Sequence, residues 1–100
     1  MNREHLIYKK AVEKWGVEAQ LDQTIEEAGE LIQAVNKFKR RRGDEPVDNL
    51  IEEIIDVEIM IGQVKVILEQ QYGDYAGSAY AQFWEKKLKK ISGMLEKEEV

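Results

Sequence analysis

Glu26, Glu27 and Glu30, followed by Glu53 and Asp56, are the side chains of this sequence whose type and spacing can do chemistry. They lie in two clusters, Glu26-Glu27-Ala28-Gly29-Glu30 and Glu52-Glu53-Ile54-Ile55-Asp56, each inside a helical hydrophobic pattern. Glu27 precedes Glu30 by three residues, and Glu53 precedes Asp56 by three. On a helix that interval stacks both carboxylates on one face, a turn apart. Stacked like charges repel, and a divalent cation is the natural neutraliser. An all-oxygen donor set suits Mg²⁺, with Mn²⁺ as a substitute, and Mg²⁺ commonly adds water and substrate phosphates to its carboxylates. A di-iron bundle would need Glu-x-x-His on each of two helices. The corresponding positions here are Glu30 and Asp56, and the one histidine, His5, reads as a surface residue near the N-terminus.

Four helices are predicted to carry these groups. The first runs from about Asn2, a natural N-cap, to Lys14, with Ile7, Ala11 and Trp15 at helical spacing and Trp15-Gly16 as its stop. The second covers roughly Glu18 to Phe38 or a turn beyond. Leu21, Ile25, Ala28, Ile32 and Val35 form its packing seam, with Glu27 at the seam's edge and Glu30 and Glu26 further round. Lys37, Lys39, Arg40, Arg41 and Arg42 follow, either as cations favoured at a helix C-terminus or as a phosphate-attracting rim.

Pro46 suits the first turn of a third helix running to about Glu69. That helix is apolar almost all round, so burial on most sides is expected. Glu53 and Asp56 project among Val57, Met60 and Val64, where burying an unpaired carboxylate costs several kcal/mol. This is the strongest physical sign of a site. A fourth helix begins near Asp74 or Ser78 and reaches about Glu96. Tyr80, Trp84, Leu88, Ile91 and Leu95 line one of its faces, with Lys86, Lys87, Lys89 and Lys90 off it. If helix 2 ends near Lys39 and packs antiparallel on a helix 3 starting near Pro46, the acid pairs come within about 3 Å of the same level. The site therefore predicts that the basic run belongs mostly to the loop.

At 100 residues, 43% hydrophobic and 35% charged, the chain supports one domain, residues 1–100, of all-α class. A net charge of −5 speaks against stable nucleic-acid binding. No cysteine is present, so disulfides and thiolate metal sites are excluded and a cytoplasmic location is permitted. Neither a signal peptide nor an uncharged stretch of about 18 residues is seen, so no membrane association is expected.

The ordered pair of clusters resembles the MazG-like all-α nucleoside triphosphate pyrophosphohydrolases. Their hallmark is Glu-Glu-x-x-Glu on one helix and Glu-x-x-Asp on the next, matched here by Glu26-Glu27-Ala28-Gly29-Glu30 and Glu53-Ile54-Ile55-Asp56. Lys87-Leu88-Lys89-Lys90-Ile91 is similar to the family's C-terminal Lys-Leu-x-Arg-Leu, with Lys90 in place of Arg. The resemblance spans about residues 5 to 95. It implies Mg²⁺-dependent cleavage of a nucleoside triphosphate between its α- and β-phosphates, giving a monophosphate and pyrophosphate. By motif position Glu27, Glu30, Glu53 and Asp56 would be metal ligands. Glu26 would hold a second metal or orient the attacking water as base, with Glu27 beside it in the catalytic pair. Lys87 and Lys90 would meet phosphates or form a solvated basic face. Trp15 and Gln20 are candidates for the base pocket, Trp15 being equally readable as core. A related branch cleaves phosphoribosyl-ATP.

The resemblance also implies a homodimer or homotetramer that completes the bundle core. The apolar third helix supports this independently. A rival from another class is a non-catalytic helical interaction or regulatory module, with the acids as a solvated face.

Overall fold

The computed structural model describes residues 2–40 and 42–98; Arg41 of the basic run lies outside them. Among these residues the protein is all-α, as predicted, with four helices: α1 (Arg3–Trp15), α2 (Val17–Lys39), α3 (Glu45–Tyr72) and α4 (Asp74–Glu98). The backbone forms two compact units, Met1–Ile67 and Leu68–Val100.

In the first unit, the Asn2 side chain caps α1 by accepting from the His5 backbone N–H at 2.8 Å. Gly16 alone links α1 to α2, with φ 93° and ψ 156°. That conformation is nearly closed to residues bearing a Cβ. Gly16→Ala is therefore expected to destabilise the fold by about 1–3 kcal/mol. The check is thermal unfolding, where each kcal/mol is worth about 4–8 °C in a chain of this size.

The buried cluster is small: Val12, Val66 and Ile67, with Tyr8 and Val17 packed against it. Helix α3 approaches α1 closely at Gly62. A Cβ there would lie 2.7 Å from Tyr8 Cδ2 and 2.9 Å from Cζ, well inside contact distance. Only glycine lets the Tyr8 ring lie on this face.

Helices α2 and α3 meet at two levels. Gln20 bonds Gln63, and Glu27 and Glu30 converge on Glu53. Ten positions forward along α2 lead from Gln20 to Glu30, and ten positions back along α3 lead from Gln63 to Glu53. The pair is thus antiparallel. Lys39 ends α2 where alignment of the acids requires it, leaving Arg40 and Arg42 outside the helix.

Which faces turn inward differs from the expectation. The seam Leu21, Ile25, Ala28, Ile32 and Val35 is exposed, Ile25 at 70% and Ile32 at 64%. The inward face of α2 is the next one round: Gln20, Thr24, Glu27, Leu31, Ala34 and Phe38 are buried or half-buried at intervals of three or four. Helix α3 behaves similarly. Glu53, Asp56, Met60, Gln63 and Ile67 turn inward, whereas Ile51, Ile54, Ile55, Ile59 and Ile61 are exposed. The expected burial of α3 on most sides is not met within one chain, because α1 and α2 cover only one stripe. Polar groups share the interior contact with Leu31, Ala34, Met60 and Ile67, while the most apolar stripes face outward.

In the second unit, α4 has no buried residue among those described. Tyr80 and Trp84 stack with ring centroids 6.0 Å apart and planes at 15°. Their stripe continues through the exposed Leu88, Ile91 and Leu95.

Candidate functional site

The site grows from that polar interior contact. Glu27 on α2 and Glu53 on α3 lie half-buried on the inward faces, and Glu30 lies one turn on from Glu27 at the exposed rim. One carboxylate oxygen of each comes within 4.8 Å of the others. Glu27 Oε2 and Glu53 Oε2 are buried and take no hydrogen bond among the described residues. Buried polar atoms are almost always satisfied, so two orphaned acceptors at one point are a specific anomaly. Each faces further carboxylates, which cannot donate unless one holds a proton.

Electrostatics record the crowding. The charge of Glu27 is the first cause raising the Glu30 carboxyl above its ordinary range, followed by burial, by a hydrogen bond with Glu27 that protonation would allow, and then by the charges of Asp56 and Glu26. For Glu53 burial comes first, then the charges of Glu30, Glu27 and Asp56. Asp56 is half-buried and close enough for both groups to feel its charge, but it is not one of the three converging carboxylates. Glu26 is exposed beside them.

The donor set fits a hard divalent cation. It offers carboxylate oxygens alone, from two helices, with two oxygens left unsatisfied by the protein. Such an ion would sit against Glu27, Glu30 and Glu53.

A cleft of about 480 Å³ lies alongside, lined by Trp15, Ala19, Gln20, Gln23, Met60 and Gln63. Trp15 is 59% exposed, so it is not a core residue; its ring borders the cleft, with Lys14 Nζ 5.5 Å from a ring centroid. Gln20 is 7% exposed and donates its Nε2 to Gln63 Oε1, itself on a side chain 6% exposed. Thr24 Oγ1 donates to the backbone carbonyl of Gln20 at 2.8 Å, and Gln23 Nε2 donates to Glu27 Oε1 at 2.9 Å. This last bond joins the cleft to the carboxylates.

The structure therefore gathers Glu27, Glu30 and Glu53 at one point, with Glu26 and Asp56 beside them and Trp15 and Gln20 in the adjoining cleft. Lys87 and Lys90 lie exposed on α4 in the Leu68–Val100 unit and line neither feature. Gln23 and Gln63 escaped the sequence reading, and Met60 was read there as an apolar neighbour of the acids rather than as a cleft residue. The signal for the two glutamines was periodicity: Gln23 is four residues before Glu27, and Gln63 is one helical heptad after Asp56, so both share the acids' face.

Compared with family profiles, with curated proteins and with solved structures, the chain matches none.

Proposed function

We propose that the protein is a divalent-cation-dependent pyrophosphohydrolase of MazG-like type, cleaving a nucleoside triphosphate between its α- and β-phosphates. The observation carrying this is the convergence of Glu27, Glu30 and Glu53 from two helices, with two buried oxygens left without a donor, beside a cleft bordered by an open tryptophan face. The order Glu-Glu-x-x-Glu then Glu-x-x-Asp, through which the sequence resembles that family, adds the reaction class.

When bound, Mg²⁺ or Mn²⁺ would offset phosphate charge and make water more acidic. The chain's own groups do the rest. Glu27, Glu30 and Glu53 hold the ion, with Asp56 available as a further ligand. Exposed Glu26 accepts the proton of the attacking water. The ring of Trp15 stacks on the base. Once Gln20 Nε2 is committed to Gln63 Oε1, the Gln63 Nε2–H groups and the Gln20 side-chain Oε1 remain to meet the base edge. Lys87 and Lys90 are assigned no step.

Pyrophosphate release from a panel of nucleoside triphosphates, with Mg²⁺, with Mn²⁺ and with chelator, is the direct test. Metal-dependent release ranked by base is expected. No release from folded protein would sink this reading in favour of the helical interaction module, unless phosphoribosyl-ATP were cleaved.

Assembly into a homodimer or homotetramer belongs to the same proposal. Supporting it are the outward apolar stripes of α2, α3 and α4 and the absence of any large, fully buried side chain among the described residues. Light scattering at micromolar concentration should give at least twice the monomer's 11.6 kDa; the monomer mass would remove the claim. Among the described residues no helix is long and apolar enough to cross a membrane. We place the reaction in the cytoplasm, where the substrate is made.

A further inference from the structure

Among the described residues, Gln23 alone both lines the cleft and hydrogen-bonds a carboxylate of the converging group. Its Nε2 holds Glu27 Oε1 at 2.9 Å, while Glu27 Oε2 is the buried oxygen without a donor. The two oxygens of Glu27 thus have separate tasks. One is anchored by the amide, and anchoring it fixes the plane of the carboxylate and with it the place of the buried oxygen.

A glutamine side chain has several rotamers of similar energy, and a hydrogen bond to Glu27 selects one. A planar group entering the cleft packs against the same amide, whose carbonyl is the atom left to accept from an N–H of the ligand. Filling the cleft therefore restricts Gln23 to the rotamer that already orients Glu27. We propose that Gln23 is a positioning residue through which a nucleoside in the cleft strengthens cation binding at Glu27, Glu30 and Glu53, without any phosphate linking the two. The proposal rests on the reading of both sites given above. Coupling of this kind is reciprocal, so the cation strengthens nucleoside binding by the same factor.

The test uses the full chain, Mn²⁺ and four phosphate-free probes: deoxyadenosine, deoxyguanosine, deoxycytidine and thymidine. Electron paramagnetic resonance of free Mn²⁺ gives its Kd alone and with each nucleoside, and the fluorescence of Trp15, read in the full chain carrying Trp84→Phe so that it is the one emitting tryptophan, reports whether the cleft is filled. For the nucleoside that binds, the Mn²⁺ Kd should fall about fivefold, at the low end of measured coupling factors. In Gln23→Met, a substitution of similar length with no donor, Mn²⁺ should bind with one Kd whether or not the nucleoside is present.

A wild-type Mn²⁺ Kd unmoved by bound nucleoside would overturn the coupling while leaving both sites standing. Equal strengthening in Gln23→Met would overturn the role of Gln23. If Mn²⁺ alone fails to bind, or no nucleoside perturbs Trp15, the underlying sites themselves are refuted and the coupling with them. The wild-type measurement decides the matter even if the variant misfolds.

Discussion

Glu53→Gln is expected to lower kcat for pyrophosphate release on the order of a hundred- to a thousandfold, the scale seen when one charge-stabilising group is removed from a site. The substitution keeps the size and shape of the side chain and removes its charge. Glu53 is the only member of the converging group that α3 supplies, the other two coming from α2. Its loss leaves two carboxylates one turn apart on a single helix, without the second wall that closes the site. Steady-state kinetics across a Mg²⁺ titration should show the cation requirement rising along with the fall in kcat, and Mn²⁺ restoring part of the rate. Activity retained at wild-type level would remove Glu53 from the centre. Asp56→Asn separates two ranks of group. A loss matching that of Glu53→Gln would make Asp56 a ligand, whereas a loss of about tenfold would leave it as an outer acid tuning its neighbours.

The same substitution should act on stability with the opposite sign. In chelator at neutral pH, Glu53→Gln is expected to unfold at a higher temperature than the wild type, because it removes a carboxylate whose proton affinity is raised by burial and by Glu30, Glu27 and Asp56. A carboxyl group whose folded pKa is raised binds more protons folded than unfolded. The wild type therefore loses stability from this group as pH rises above the ordinary value of 4.5 and through the raised folded value. Below 4.5 the group is protonated in both states and the gap between the two proteins should close. Adding cation reverses the order. At a hundredfold excess over Kd a ligand that binds only the folded state contributes about 2.7 kcal/mol. That corresponds to more than about 10 °C for a chain of this length. The wild type should show this shift, and Glu53→Gln, which binds the cation more weakly, should show much less of it at the same concentration. Scanning calorimetry from pH 4 to 8, with chelator and with Mn²⁺, covers both statements. A wild type more stable than the variant in chelator would show that the acids do not repel.

Much of the architecture was readable because it depends on local chemistry. Asn2, Gly16 and Pro46 mark helix boundaries by their own capping and backbone preferences, and the helix ends fall within a few residues of where they indicated. The level of the acid pairs was also accessible, since a fixed rise per residue converts loop position into height. What the pattern misassigned was rotation. Hydrophobic periodicity finds the most apolar stripe of a helix and takes it as the inward one. In α2 that stripe runs through Ile25 and Ile32, while the chain's own packing uses the stripe through Gln20, Glu27 and Ala34, about 100° away. The sequence carries both stripes, and periodicity alone does not say which neighbour each one meets. The cleft was partly hidden for a related reason. Trp15 and Gln20 are distinctive residues next to a helix junction, but Gln63 gains its meaning only from the antiparallel register that sets it against Gln20.

That amide pair also shapes how the protein can change. Removing one partner strands a buried amide at a cost of about 1–3 kcal/mol, whereas replacing both with leucine would be neutral or favourable. A lineage drifting under selection for heat resistance would therefore meet a valley at either single replacement and firmer ground beyond it. Crossing it would fill the cleft with hydrocarbon. The Gln20–Gln63 contact thus stands where tolerance to heat and capacity to discriminate between small molecules pull in opposite directions.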